Sequence, residues 1–268
     1  MGKFDGVLLA SDFDDTFITD DLVIPPANLQ ALDYFTGEGG TFTIATGRAH
    51  PTFVPYADAV PFNAPVILSN GSALYDFKAD RMVYETFLPA RVREDLIQVA
   101  RDIPEIGFEA YHGDDIYAYQ PNLVTETHIS RAKATYTEAP IEQMPLPWSK
   151  VILEQDTPVL RRVQDYMLER WGEHYEVIFS NAYLLELTRK GSHKGGMVTY
   201  LAGLLGIRSD HIYCVGDNQN DIPMMAISAI PFAPANCAQA VKDWGARILC
   251  PCQEGTIAQI VDILDGIY

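Results

Sequence analysis

The sequence predicts an α/β fold in which a Rossmann-like parallel-sheet core carries an inserted α+β domain. Near both ends of the chain, short and continuously apolar segments alternate with helical segments, as in parallel sheets buried on both faces. The middle of the chain instead contains paired strands with helices between them, which is typical of an α+β domain. We therefore expect a discontinuous core of residues 1–82 and 189–268, interrupted by an inserted domain of residues 83–188.

Single strands and helices alternate in the first part of the core. The apolar run at residues 7–10 predicts a buried strand, and residues 26–37 have the spacing of a helix that ends at a glycine. Two more strands are predicted at residues 41–45 and 66–68, the second followed by a Ser-Asn-Gly turn. This order is typical of an open sheet with helices on both faces.

The inserted domain has a different pattern. Its strands are predicted as two pairs, 107–111 with 115–120 and 174–180 with 182–188. The other predicted elements are one strand and two helices: 149–155, 90–102 and 157–171. A proline-rich stretch at residues 137–147 is expected to be a surface connection within this domain.

Single strands and helices return after the inserted domain. Residues 194–205 predict a helix that Gly206 closes. Its large apolar residues are expected to form one stripe: Met197, Tyr200, Leu201, Leu204 and Leu205. Short strands are predicted at residues 211–215 and 246–249, and a final helix at residues 255–264.

The charge of the chain restricts its possible partners. The formal net charge is −17 and the sequence pI is about 4.6, so the electrostatic field repels a nucleic-acid backbone and we expect no nucleic-acid partner. The same field repels a free phosphate ester. A phosphate site on this protein would therefore need a metal ion and local cations.

The cysteines and the apolar segments indicate the cellular compartment of the protein. The four cysteines do not have the paired spacing of a zinc site, so we expect free thiols in a reducing compartment: Cys214, Cys237, Cys250 and Cys252. We find neither a signal peptide nor a stretch long enough to span a membrane. The sequence thus predicts a cytoplasmic protein with no membrane partner.

Polar side chains directly follow three of the predicted core strands. Asp12, Thr46 and Asp217 each come just after a buried strand. Because the carboxyl ends of parallel strands form one edge of the sheet, we expect these three residues to share one crevice. The sequence therefore predicts a ligand site at this edge.

Asp12 and Asp14 are candidate catalytic acids. At positions i and i+2 of an extended chain their carboxylates point the same way, and they repel each other unless a cation intervenes or one is protonated. One could bind magnesium and attack phosphorus, while the other donates and later removes a proton. Taken alone, the pattern more often marks an acidic loop or a helix cap. Its position after a buried strand favours the catalytic interpretation.

A second acidic loop offers a further metal ligand. Asp217 has the hard oxygen donors that magnesium prefers, and Asp221 could support it from one helical turn later. The alternative is a helix N-terminus with capping residues. We expect both descriptions to hold for this loop.

The cationic and hydroxyl groups expected to bind phosphate lie in two other segments. Ser192 is a plausible N-cap, which places Lys194 in the first helical turn, where a bound anion would offset the unfavourable helix dipole. Lys190 is the competing lysine, and we favour Lys194. Thr46, Gly47 and Arg48 supply a hydroxyl, an unobstructed N–H and a guanidinium, all ordinary phosphate donors.

Taken together, these residues resemble the haloacid dehalogenase superfamily, specifically its Cof-like phosphatases with a large α/β cap (subfamily IIB). The resemblance covers nearly the whole chain. Four motifs of the family occur in order: ASDFDDT at 10–16, ATGR at 45–48, KGSHKGG at 190–196 and VGDNQND at 215–221.

The resemblance implies a role for each motif residue. Asp12 would be the nucleophile, Asp14 the general acid/base, and Asp217 the third protein ligand of Mg²⁺, beside Asp12 and the backbone carbonyl of Asp14. Asp221 would orient the loop. The groups that would hold the transferring phosphoryl are the Phe13 backbone, Thr46, Gly47, Lys194 and Asn220. The sequence departs from the family at Asp15, where the family usually has glycine, and the effect of this side chain is left open.

The resemblance also implies a phosphatase acting on a small phosphate ester, with a sugar phosphate as the first choice. The cap would select the substrate, and five polar cap residues are candidates, although a surface position is the simpler explanation for each: Arg131, Lys133, His112, His128 and Tyr117. Two alternatives remain, a sugar phosphomutase and a catalytically silent sugar-phosphate-binding protein. A protein whose acidic loops only cap helices is the plainest alternative.

Overall fold

The structure is a computed structural model that describes residues 2–268. The first part of the chain forms seven elements: β1 (Leu8–Ser11), α1 (Pro26–Gly37), β2 (Thr41–Ile44), α2 (His50–Ala57), β3 (Val66–Leu68), β4 (Ala73–Asp76) and β5 (Arg81–Glu85). Strands β3, β4 and β5 form a three-stranded antiparallel sheet. Helix α1 has the predicted bounds.

The middle of the chain forms nine elements: α3 (Val92–Asp102), β6 (Gly107–His112), β7 (Asp115–Tyr119), α4 (Leu123–Ala132), β8 (Thr137–Glu138), β9 (Lys150–Glu154), α5 (Thr157–Trp171), β10 (Tyr175–Phe179) and β11 (Leu184–Arg189). Their strands form a six-stranded sheet in the order β10-β11-β9-β6-β7-β8. This mixture of sheet and helices is the cap. Both predicted strand pairs occur in it, with antiparallel pairing.

The last part of the chain forms seven elements: α6 (Lys194–Leu205), β12 (Ile212–Val215), α7 (Ile222–Met225), β13 (Pro231–Ala233), α8 (Gln239–Trp244), β14 (Arg247–Ile248) and α9 (Thr256–Asp265). Strands β12, β13 and β14 join β1 and β2 in a parallel sheet in the order β14-β13-β12-β1-β2. The first and last parts of the chain therefore complete one sheet.

Apolar side chains cover both faces of this parallel sheet. On one face Leu9 and Phe42 pack with Phe35 of α1 and Ile260 of α9. On the other face Leu8, Ala10 and Cys214 pack with Met197 and Leu201 of α6. This two-sided burial explains the continuously apolar strands of the sequence, and the predicted α/β fold with a cap is confirmed.

The cap has an apolar cluster of its own on one face of its sheet. Helices α3 and α5 contribute Leu96 and Val163, and the strands contribute side chains such as Val151 and Leu187. Strand residues alternate between faces, so the opposite face of the cap sheet presents a different set of side chains. That second face is the one turned toward the parallel sheet, since Ala49 of the core packs on it.

Three predictions about α6 and the last strand were wrong in detail. The N-cap of α6 is His193 rather than Ser192, because the Nδ1 atom of His193 accepts a hydrogen bond from the Gly196 amide at 3.1 Å. The last strand spans only β14, two residues of the predicted 246–249. The apolar stripe of α6 is only half buried, since three of its members are exposed: Tyr200, Leu204 and Leu205.

Two other expectations concern the membrane and the thiols. No helix within residues 2–268 is long and apolar enough to cross a membrane. All four cysteines are free thiols.

Candidate active site

Three carboxylates converge at the carboxyl edge of the parallel sheet. Strands β1 and β12 are neighbours in the sheet, so Asp12 after β1 and Asp217 after β12 come close together. The Asp12 amide donates to the Val215 carbonyl at 2.9 Å, which ties the two strand ends to each other. One carboxylate oxygen from each of Asp12, Asp217 and Asp221 lies within 4.8 Å of the others. The crevice predicted from the strand ends is therefore present.

The electrostatics of this cluster favour a bound cation. Burial raises the pKa of Asp12 to about 7, against the opposing charge of Lys194. Burial and the charges of Asp12 and Asp221 also raise the pKa of Asp217 well above its ordinary value. Carboxylates in this position stay ionised more readily when a cation lies between them, and hard carboxylate oxygens are the ligands that Mg²⁺ prefers. The residues present thus fit a divalent cation.

Lys194 and Asp221 form a hydrogen-bonded network with Asp12, the candidate nucleophile. The buried ammonium of Lys194 donates to Asp12 Oδ1 at 2.5 Å and to Asp221 Oδ1 at 2.6 Å. Burial lowers the pKa of Lys194, but the two carboxylates more than offset this effect, so its pKa lies above the ordinary value. The second oxygen of Asp221 accepts from the amides of Asp217 and Asn218 at 2.9 and 3.0 Å. Asp221 therefore has its hydrogen bonds satisfied and holds the loop in place.

Lys190, the competing lysine, lies elsewhere. Its side chain is half exposed and its ammonium pairs with Glu176 at 3.3 Å. This placement favours Lys194 as the cation of the site.

Arg48 contacts Asp14 rather than facing open space. Its Nε and Nη2 atoms donate to the two oxygens of Asp14, both at 2.8 Å, and its Nη1 atom donates to the Thr52 carbonyl at 3.0 Å. The guanidinium also lies over the Tyr56 ring, 4.7 Å from its centroid. The donors predicted to hold phosphate are thus occupied by Asp14 in this structure, and a phosphate contact of Arg48 stays a prediction.

The phosphate-binding candidates of the second and fourth motifs surround the same crevice. The Thr46 hydroxyl oxygen accepts from the Arg48 amide at 3.0 Å, which leaves the hydroxyl proton for another acceptor. Asn220 donates through Nδ2 to Asn70 Oδ1 at 3.0 Å. A side chain at Gly47 would lie 3.3 Å from Asn70 Nδ2, so glycine keeps this backbone open to a ligand. Phe13 contributes only its backbone, because its ring is buried in the core.

The backbone conformation at Asp15 explains why the family usually has glycine at this position. Its φ is +61°, in the left-handed region that glycine adopts freely and that aspartate tolerates better than most residues. Its carboxylate lies 3.4 Å from Arg131 of the cap, which also contacts Asp20 at 2.9 Å. The departure from the family pattern therefore supplies a contact between the core and the cap.

Five polar cap residues were candidates for substrate selection. Two of them, His128 and Arg131, lie in the wall of the crevice above Asp12. The other three do not. Lys133 lies over the Tyr56 ring, His112 bonds the Pro147 carbonyl, and Tyr117 packs against the apolar cluster of the cap.

Sequence reasoning missed several residues of this crevice. Asn70 supports Asn220, and Thr16 donates to Asp217 Oδ1 at 3.2 Å. The other missed lining residues are two of the core, Thr52 and Asn218, and seven of the cap: Tyr111, Ala132, Lys150, Ser180, Asn181, Leu184 and Glu186. A signal existed for two of these, since Lys150 and Glu186 are charged residues next to apolar runs in their strands, where a charge rarely occurs without a partner or a function.

Comparison with known families decides the membership of the chain. Residues 9–260 match the model of the haloacid dehalogenase-like hydrolases. The chain belongs to this family. The match includes all four motifs completely, so every proposed site residue lies within it.

Two curated relatives of this haloacid dehalogenase-like hydrolase are phosphatases. The pyridoxal phosphate phosphatase of Escherichia coli is 23% identical over 265 residues, covering 95% of this chain and 97% of the relative. The 5-amino-6-(5-phospho-D-ribitylamino)uracil phosphatase of Bacillus subtilis is 23% identical over 266 residues, covering 95% of this chain and 96% of the relative. The predicted enzyme class, a phosphatase of this superfamily, is confirmed.

Solved structures confirm the fold of this hydrolase. A subclass IIB sugar phosphatase of the superfamily superposes with a TM-score of 0.85 at 18% identity, covering 98% of this chain and 100% of that chain. A haloacid dehalogenase-like hydrolase from Bacteroides thetaiotaomicron gives a TM-score of 0.82 at 23% identity, covering 96% of this chain and 99% of that chain. The predicted Cof-like, subfamily IIB resemblance is confirmed.

Proposed function

We propose that this protein is a Mg²⁺-dependent phosphatase that hydrolyses a small phosphorylated metabolite, with a sugar phosphate as the first choice, through a phospho-aspartate on Asp12. The observation that carries the proposal is the convergence of Asp12, Asp217 and Lys194 in one crevice. A nucleophile, a candidate metal ligand and a cation are thereby within reach of the same phosphoryl group. Phosphoryl transfer requires mainly this positioning and charge neutralisation.

Asp12 is the proposed nucleophile. Its Oδ1 atom accepts from Lys194, which leaves Oδ2 to attack phosphorus while the bond to the ester oxygen breaks. Lys194 holds the attacking carboxylate in place and neutralises charge on the transferring group. Asp12, Asp217 and the Asp14 carbonyl would hold Mg²⁺, which when bound neutralises the phosphoryl oxygens.

Asp14 is the proposed general acid/base. In the first half of the reaction it gives a proton to the leaving oxygen, and in the second half it takes a proton from the water that attacks the phospho-aspartate. The guanidinium of Arg48 donates to both oxygens of Asp14, which fixes the position of this carboxylate in the crevice. Thr46, the Gly47 amide and Asn220 are the proposed donors to the phosphoryl oxygens.

The domain division is part of the same proposal. We propose that residues 1–82 and 189–268 belong to the catalytic core and that the cap lies within residues 83–188, where it begins after β5, since β5 pairs with β4 of the core. The separate apolar cluster of the cap supports this division. A cap that closes over the crevice would exclude bulk water until the phospho-aspartate forms.

The test is phosphate release from an aryl phosphate and from a panel of sugar phosphates, with and without Mg²⁺. Asp12→Asn should abolish turnover and leave the thermal unfolding temperature nearly unchanged. Asp33→Asn on helix α1 is the matched control and should keep the full rate. Wild-type rates in Asp12→Asn would refute the nucleophile. Substrate turnover without phosphate release would instead identify a phosphomutase.

A further inference from the structure

Two buried charged residues of the cap sheet line the crevice that contains Asp12. Lys150 begins strand β9 and Glu186 lies in β11, and both strands are otherwise largely apolar. Their side chains are 2% and 6% exposed, respectively, and both line the crevice that contains Asp12. The proposed mechanism uses neither residue. A buried charge without a task in the mechanism requires another explanation.

The carboxylate of Glu186 lacks a hydrogen-bond donor. Its buried Oε2 atom has no hydrogen-bond partner among residues 2–268. The ammonium of Lys150 is the nearest cation, at 3.6 Å, which is too long for a hydrogen bond. Burial of a carboxylate with unfilled acceptor sites is unfavourable, so this oxygen is suited to a donor that arrives with a ligand.

Lys150 fixes the position of this pair relative to the phosphate-binding loop. Its ammonium donates to the Gly47 carbonyl at 2.8 Å and lies 4.3 Å from the centroid of the Tyr111 ring. Glu186 Oε1 lies 3.4 Å from the point where a Cβ atom of residue 47 would be. The pair is therefore next to the loop proposed to bind the phosphoryl group, where the alcohol part of an ester would extend toward the cap.

We propose that Lys150 and Glu186 recognise hydroxyl groups of the leaving alcohol and so select monophosphates of sugars or polyols. A hydroxyl both donates and accepts hydrogen bonds, so it can donate one to Glu186 and accept one from Lys150. The opposite charges of the pair cancel, which favours a neutral hydroxylated group over an amine or a carboxylate. This inference rests on the proposed phosphatase function and names the residues that determine its specificity.

The experiment compares ribitol 5-phosphate with n-pentyl phosphate, which has the same carbon chain without hydroxyls. The wild-type enzyme should have the higher kcat/KM on ribitol 5-phosphate. Glu186→Gln should lower kcat/KM on ribitol 5-phosphate about 10- to 100-fold and change it less than about twofold on n-pentyl phosphate. Glu138→Gln, an exposed glutamate of strand β8 in the same sheet, is the matched control and should match the wild type on both esters.

A purely structural ion pair predicts a different set of results. Glu186→Gln would then lower kcat/KM on both esters equally, together with any loss of stability that follows when the buried Lys150 loses its counter-charge. Equal effects on both esters, or no effect on either, would overturn this inference and leave the phosphatase function standing. Absence of phosphate release from both esters and from an aryl phosphate would overturn the phosphatase function itself and this inference with it.

Discussion

Glu109, Glu154 and His128 form a cluster of titratable side chains in the cap. Both glutamates are fully buried, and the Nδ1 atom of His128 lies 3.0 Å from Glu109 Oε1 and 3.7 Å from Glu154 Oε1. Burial and the neighbouring charge of Glu109 raise the pKa of Glu154 to about 10. For Glu109, burial is outweighed by His128 and by hydrogen bonds, so its pKa lies below the ordinary value. At neutral pH Glu154 is therefore the protonated partner of an ionised Glu109.

This proton makes the stability of the protein depend on pH. Between the ordinary value of 4.5 and about 10, the folded protein holds a proton on Glu154 that the unfolded chain has lost. The stabilisation that this proton gives the folded protein is complete below pH 4.5 and decreases as the pH rises from there to about 10. Glu154→Gln keeps a neutral donor toward Glu109 without binding a proton.

We therefore expect Glu154→Gln to become more stable than the wild type as the pH rises. The difference in the free energy of unfolding should grow by up to about 1.4 kcal/mol per pH unit between pH 6 and 8. Urea unfolding at three pH values measures it. The exposed Glu142→Gln should show a difference that does not change with pH, and the same behaviour in Glu154→Gln would contradict the protonation of Glu154.

At the scale of single residues, the sequence predicts what depends on chain position. Asp12 and Asp217 come together because they follow neighbouring strands, and this follows from the topology of a parallel sheet alone. The bond between Arg48 and Asp14 and the unfilled carboxylate of Glu186 depend on side-chain directions across separate elements. No pattern along the chain contains that information, and so both were missed.

Among the elements, α6 is the one whose placement bears most directly on the site. It begins at Lys194, and the next residue, Gly195, lies against α7. A Cβ atom on Gly195 would lie 2.1 Å from the Pro223 carbonyl oxygen. This neighbour is backbone and cannot rotate away, so a side chain would force the first turn of α6 apart from α7.

We expect Gly195→Ala to destabilise the protein by about 1–3 kcal/mol and to lower kcat/KM, since Lys194 moves with the first turn. Gly203→Ala is the control on the same helix. A Cβ atom there meets nothing within 4 Å, and alanine is the better helix former, so it should be neutral or stabilising by up to about 1 kcal/mol. Denaturant unfolding and steady-state kinetics measure both variants, and equal stabilities would contradict the close packing of α6 on α7.

The elements predicted from the sequence are those with a strong apolar pattern. Continuous apolar strands such as β1 and the regular helices α1 and α5 were found with nearly correct bounds. Helix α2 was missed because it contains two prolines in eight residues. Strand β5 was missed because most of its side chains are exposed and do not alternate in polarity. Such elements form because the rest of the fold positions them.

At the scale of the whole molecule, the cap is held to the core by polar contacts around the crevice. Arg131 of α4 contacts Asp20 at 2.9 Å and Asp15 at 3.4 Å, both in the segment after β1. Lys150 donates to the Gly47 carbonyl at 2.8 Å on the other side of the crevice. The Arg131 contacts are partly exposed, so water and salt weaken them. We therefore expect these contacts to hold the cap closed and to be weak enough to release it for substrate exchange.

Asp20→Asn tests this contact without altering the proposed catalytic acids. Asp20 is largely exposed, and removal of its charge should loosen the closed cap. We expect KM to rise about two- to fivefold at low ionic strength. Amide hydrogen exchange in residues 12–24 should also become faster. Both differences from the wild type should shrink in 0.5 M salt, where the Debye length is about 4 Å and the wild-type pair is screened as well. Asp21→Asn removes the neighbouring exposed acid, which has no contact with Arg131, and should match the wild type at every salt concentration. If Asp20→Asn and Asp21→Asn behave alike, the Asp20–Arg131 pair does not hold the cap, and closure rests on the contacts of Arg131 with Asp15 and of Lys150 with Gly47.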